Sequence, residues 1–223
     1  LNALTPDMCA AMKAQLDAWA DDDAVSIVLV SGEGDRAFCA GGDVRRVAEV
    51  GRDDPVKARD FFSVEYAMDA AIIRFPKPYV SLIDGIVMGG GLGISVNGGF
   101  RVVSEHVMAA MPETGIGLLP DVGATAFLNQ CPERIGLYLG LTGVRLDAAD
   151  CLHSGFATDF VPRERLQTLT DALISAKYLG DPHAAVEGII GRFSGDPGDS
   201  KLRARQVEID RLFAADRVED IVA

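Results

Sequence analysis

PYVSLIDGIVMGGGLGISV, residues 78–96, is the stretch on which the fold is decided. Pro76 and Pro78 stop whatever helix precedes it, and YVSLI (residues 79–83) then reads as a strand buried on both faces. A glycine-dense turn follows and leads into an apolar helical run, so the unit is strand, turn, helix. Glycines let backbone N–H groups approach a ligand closely, and a helix N-terminus adds unpaired donors with a dipole that favours negative charge. Two such N–H groups converging on one point make an oxyanion hole, worth roughly 3–4 kcal/mol of barrier per donor. The same glycines would equally serve a tight turn and close helix packing. Spacing removes other readings: no G-x-G-x-x-G surrounds Gly89–Gly93, and the chain has no Gly-Lys pair for a phosphate-binding loop. Ser95 lacks the second glycine of a nucleophile elbow.

On the N-terminal side, residues 55–75 have helical periodicity. Residues 25–30 form a β-branched apolar run that reads as a strand buried on both faces, and 32–42 read as a loop. Thr5-Pro6-Asp7 supplies a cap and a first-turn proline, and Met8, Met12, Leu16 and Trp19 make one apolar stripe, so a first helix is expected to about Asp21. On the C-terminal side, short strands are expected at 100–103 and 107–110, with a Gly/Pro-punctuated loop over 112–123. Helices follow near 125–130, 133–141, 147–154 and 163–177. Residues 191–200 read as a surface loop and 201–223 as one charged amphipathic helix. The alternation predicts an α/β fold with a mostly parallel sheet and flanking helices. A core over 1–180 is expected, with 181–223 beginning a helical C-terminal region.

With 223 residues, 48% of them hydrophobic, the chain can bury a sizeable core. A net charge of −12 argues against nucleic-acid binding, and an anionic ligand would need a local cationic patch. The four cysteines, at 9, 39, 131 and 151, form no C-x-x-C pair, which predicts neither a disulfide framework nor a zinc knuckle and fits a reducing, cytoplasmic compartment. His106, His153 and His183 have no metal-ligand spacing, and no apolar run is long enough to span a membrane.

Four collinear segments then carry a resemblance: AFCAGGD (37–43), PYVSLIDGIVMGGGLG (78–93), FRVVSE (100–105) and MPETGIGLLPDVGA (111–124). Their order is similar to the core of the crotonase (enoyl-CoA hydratase/isomerase) superfamily from near residue 1 to about 165. The resemblance implies a crotonase-like fold of the ClpP/crotonase type. It also implies oxyanion-hole amides at Gly42 and Gly90 that hold a thioester oxygen. The backbone near Ala40, with Asp43 in the same segment, would meet the adenine end of coenzyme A, and Arg45 or Arg46 its phosphates. Coenzyme A enters as part of the substrate, and no metal or redox cofactor is implied. Family chains begin with a strand before the segment that starts here at Leu1, and continue into a longer helical region, so the chain is expected to be truncated. A homo-oligomer is compatible with the resemblance.

Carboxylates separate the branches. Family hydratases use two glutamates; the first falls on Gly93 here, and the second is retained as Glu113. Asp121 stands eight residues beyond Glu113 on the same Gly/Pro-rich loop. Their shared loop, with no other carboxylate expected beside the glycine turns, makes Glu113 and Asp121 a pair, one acting as base or nucleophile. This pattern resembles the 3-hydroxyisobutyryl-CoA hydrolases of valine breakdown. The implied activity is hydrolysis of a short 3-hydroxyacyl-CoA. The competing readings are an isomerase or hydratase working through Glu113 alone, and a silent CoA-binding subunit.

Overall fold

The computed structural model describes residues 1–221. The chain begins with α1 (Pro6–Ala20), β1 (Val28–Ser31), β2 (Ala37–Cys39), α2 (Val44–Asp53) and α3 (Pro55–Ile73). Next come β3 (Tyr79–Ile83), β4 (Ile86–Met88), α4 (Gly90–Val96), β5 (Phe100–Val103) and β6 (Met108–Ala110). It continues through α5 (Ala124–Phe127), α6 (Ile135–Thr142), α7 (Ala148–Ser154), β7 (Asp159–Phe160), α8 (Arg163–Ser175), α9 (Pro182–Gly191), α10 (Lys201–Leu212) and α11 (Val218–Ile221).

Successive strands alternate between two parallel sheets, one in the order β1-β3-β5-β7 and one in the order β2-β4-β6. The pairing explains why β3 is buried at every position and apolar at all but Ser81. Tyr79 and Ile83 of β3 face the larger core, while Val80 and Leu82 face a second cluster formed with α8 and α9. Each face of the strand thus has its own partner, as parallel sheets require. The second cluster takes Leu169 and Leu173 from α8 and Val186 and Ile190 from α9. Helix α10 returns Leu202 and Ile209 to the larger core.

Four expectations change. Residues 25–27 are not strand, and β1 is a sheet edge with only Val28 buried rather than a strand covered on both faces. Residues 32–42 are not all loop, because β2 pairs in parallel with β4. Strand β7 was not foreseen; it is two residues long and exists only by pairing with β5, whereas α9 opens the region expected to be helical. The helix expected over 201–223 ends at Leu212. The break is tertiary: Phe213 packs its ring on Tyr138 with centroids 5.2 Å apart, and Arg134 N donates to Asp210 at 3.2 Å. Residues 222 and 223 lie outside the described residues.

Candidate active site

Two chain segments bring Gly42 and Gly90 together. Leu4 bridges the first: its N–H donates to Gly41 O at 2.9 Å, and Asp43 N–H donates back to Leu4 O at 3.0 Å. Gly41 N–H turns toward Cys39 Sγ at 3.5 Å. Gly42 N–H is the one amide of this turn left over, with no acceptor among the described residues. On the second segment, Gly89 adopts φ 50°, a conformation costly for any side chain, and Gly90 opens α4. As the first residue of a helix, Gly90 has an N–H without an intrahelical partner. A methyl group placed on Gly90 would lie 3.2 Å from Gly42 N and would overlap Glu65 Oε1. The structure therefore places Gly42 and Gly90 side by side on the wall of one cavity, against a carboxyl group.

That carboxyl group was missed. The expectation that no carboxylate other than Glu113 and Asp121 stands beside the glycine turns is corrected by Glu65, which is 2% exposed on α3. Its signal was present in the sequence. The buried face of α3 is Phe61, Glu65, Met68, Asp69 and Ile72, spaced by fours and threes, so two acids sit on the apolar stripe. Asp54 caps the helix, accepting from Val56 N and Lys57 N, and Pro55 starts it.

Glu113 comes from the other side. The loop after β6 forms a short 3-10 turn, Glu113–Ile116, closed by Gly117 at φ 77°. A methyl group on Gly89 would lie 2.6 Å from Glu113 Oε1, so this carboxyl borders the turn one residue before Gly90. Farther along the same loop, Asp121 is held by Tyr66 of α3, whose hydroxyl donates to Oδ2 at 2.7 Å. Glu65, Glu113 and Asp121 border one cavity of about 180 Å³, with Ala40, Gly42 and Gly90 also on its wall.

Burial among like charges raises these acids. Desolvation, then Asp121 and Glu113, lifts Glu65 to about 7. Desolvation and the nearby Asp121 lift Glu113 to about 7. Asp69, a turn beyond Glu65, is lifted to about 8 by desolvation, Glu65 and Asp121. Glu65 Oε1, Glu113 Oε2 and both oxygens of Asp69 are buried without a hydrogen-bond partner among the described residues.

The space at Gly93 is already filled. A methyl group there would lie 2.8 Å from Val122 Cβ and 3.0 Å from Asp69 Oδ1.

The remaining predicted residues divide. A second cavity of about 290 Å³ lies between α2 and α3, shares Phe61 with the first, and is lined by Asp43, Arg46 and Lys57 among others. Asp43 also caps α2, accepting from Arg46 N at 3.2 Å. Arg45 is exposed and borders neither cavity, whereas its neighbour Arg46 borders the second. Ser95 is fully buried, its hydroxyl donating to Gly91 O at 2.8 Å. Among the described residues, no group of three or more His, Cys, Asp or Glu side chains is placed to hold a metal ion, and no helix is long and apolar enough to cross a membrane.

Two interleaved parallel sheets carrying paired free amides beside buried acids define a crotonase-fold protein. The chain belongs to the enoyl-CoA hydratase/isomerase family, which it matches over residues 1–223. It is 49% identical over its whole length to 58% of the 3-hydroxyisobutyryl-CoA hydrolase, mitochondrial, of Xenopus tropicalis. It is 40% identical over its whole length to 58% of the human protein of the same name. Among solved structures, a carnitinyl-CoA dehydratase from Mycobacterium thermoresistibile superposes with a TM-score of 0.91 at 40% identity, covering 99% of this chain and 62% of that one. The chain thus spans about three fifths of the length of the relatives it matches.

Proposed function

We propose that the protein hydrolyses a short 3-hydroxyacyl-CoA thioester, 3-hydroxyisobutyryl-CoA, to the free acid and coenzyme A. The relatives at 40–49% identity bearing the hydrolase name support this reading. The structural observation that carries it is the crowding at Gly93. Hydration across a double bond in this family calls for a second glutamate there, and Val122 and Asp69 occupy the room that its side chain would need. The carnitinyl-CoA dehydratase name of one solved relative favours a hydration or dehydration reading. The same crowding speaks against it.

In the proposed reaction, the thioester oxygen lies between the amides of Gly42 and Gly90. Glu113 takes a proton from water as the water oxygen bonds to the carbonyl carbon, and the carbonyl π electrons move onto the oxygen held by the two amides. Collapse restores the carbonyl, breaks the carbon–sulfur bond and passes the proton from Glu113 to the departing sulfur. A base with a pKa near 7 is matched to this work at neutral pH. Asp121 accepts a hydrogen bond from the substrate 3-hydroxyl, and Glu65 closes the acyl end of the cavity. Ala40 and the Asp43/Arg46 cavity lie on the path that coenzyme A would follow, with Arg46 and Lys57 as its cationic contacts; Arg45 is the weaker candidate. Four buried free thiols suit a reducing compartment, the cytoplasm or a mitochondrial matrix.

The test is thiol release across a panel of short acyl-CoAs. Release that is fastest with 3-hydroxyisobutyryl-CoA supports the proposal. Binding without release would make the protein a CoA-binding subunit.

A further inference from the structure

We propose that Tyr66 is the positioning residue for Asp121: its hydroxyl occupies one carboxylate oxygen and turns the other toward the substrate. This rests on the reading of Asp121 given above.

Three observations carry it. First, the Tyr66 hydroxyl, at 2.7 Å from Oδ2, is the one side-chain partner of Asp121 among the described residues, and it joins two segments 55 residues apart. Oδ1 is left as the free acceptor. Second, the backbone beside Asp121 lies outside regular structure and is held in a strained conformation by its surroundings. Val122 sits at φ 45° and Gly123 at φ 87°, and a β-branched residue in that region is an outlier. Val122 is nonetheless 2% exposed, and Asn97 Nδ2 donates both to Gly93 O at 2.8 Å and to Val122 O at 3.4 Å. The Cα of Asp121 is thereby anchored, while its carboxylate can still rotate. Third, Tyr66 follows Glu65 on α3, and its ring lies 6.0 Å from that of Phe62, which borders the cavity. The helix that carries one acid of the site therefore also orients another. Partial desolvation, the hydrogen bond to Asp121 and the neighbouring acids push the half-exposed Tyr66 hydroxyl up, so it keeps its proton and remains a donor across the working range.

Tyr66→Phe keeps the ring and removes only the donor. With the carboxylate free to swing, kcat/KM for 3-hydroxyisobutyryl-CoA should fall about tenfold, as expected for a misplaced orienting group. A double-mutant cycle with Asp121→Ala separates positioning from mere packing. The proposal requires that Tyr66→Phe change kcat/KM by less than about twofold once Asp121 is alanine, because a positioning residue acts only through its target. The same tenfold loss in both backgrounds, or no loss in the native background, overturns it. If Asp121→Ala alone leaves activity intact, the role of Asp121 fails first, and that of Tyr66 falls with it. If Asp121→Ala is damaging and Tyr66→Phe is silent, only the positioning role fails.

Discussion

The two faces of the four-stranded sheet and its surroundings obey different rules. Beneath β3 and β5, the layer made with α8 and α9 is aliphatic at every buried position, from Val80 and Val102 to Leu169 and Ile190. On the opposite side, α3 and the loop after β6 bury Glu65, Asp69 and Glu113, and four of the six buried side-chain atoms without a partner among the described residues belong to these acids. Orphaned buried carboxyls are costly, and a fold under pressure only for stability would replace them. Their concentration around the two free amides marks where stability is subordinate to chemistry.

The difference can be broken most severely at Glu113. Glu113→Gln should lower kcat for thiol release by about 10²–10⁴-fold, the range for loss of a general base, with the melting temperature unchanged or raised. Leu169→Ala on the aliphatic side should do the reverse. It should cost about 2–5 kcal/mol in denaturant unfolding while leaving KM and kcat close to native. If Leu169→Ala lowered kcat as much as Glu113→Gln, the division between the two layers would be unsound.

Smaller effects sharpen it. Asp121→Asn should cost about 1.5–3 kcal/mol of kcat/KM on 3-hydroxyisobutyryl-CoA and less on isobutyryl-CoA, which lacks the hydroxyl. Equal losses on the two would assign Asp121 to the hydrolytic water. Gly93→Glu should fail to create hydration of crotonyl-CoA, and should cost about 1–3 kcal/mol of stability through overpacking against Val122 and Asp69. A stable Gly93→Glu variant that hydrates crotonyl-CoA would show that the site had room after all.

The same acids also give stability a pH dependence. Glu65 and Glu113 at about 7 and Asp69 at about 8 are all raised, so the folded state holds their protons more tightly than the unfolded chain. Their contribution is fully present below the ordinary carboxylate range and is lost as pH rises through 7 to 8. Thermal unfolding should therefore occur at higher temperature at about pH 6 than at about pH 8.5, and Asp69→Asn should flatten the difference. An unfolding temperature that rises over this interval in the native protein would show that these acids are ionised when buried.

Much of this was legible in the sequence. Tyr79–Ile83 and the helix that follows the glycines were read correctly, because a strand buried on both faces and a glycine cluster each leave a local pattern, but β4 was hidden inside the stretch read as turn. Gly42, Gly90 and Glu113 were named through the family resemblance, and the structure places all three on the wall of one cavity. Glu65 and Asp69 were legible in principle, from their spacing with Phe61, Met68 and Ile72, but a stripe containing acids is easily read as a solvated face. The contact of Tyr66 with Asp121 was not legible, since nothing local links residues 55 positions apart. Nor were β2 and β7, whose three and two residues become strands only by pairing. The positive φ of Val122 contradicts its own propensity and left no signal in the sequence.

The most direct measurement is the simultaneous recording of free thiol and enoyl absorbance while the protein turns over 3-hydroxyisobutyryl-CoA and, separately, crotonyl-CoA. Thiol release from the first, failing on the acid side of about pH 7 as Glu113 takes up its proton, with negligible change in the second, is the predicted result. Robust loss of the enoyl absorbance of crotonyl-CoA without thiol release from either substrate would contradict it.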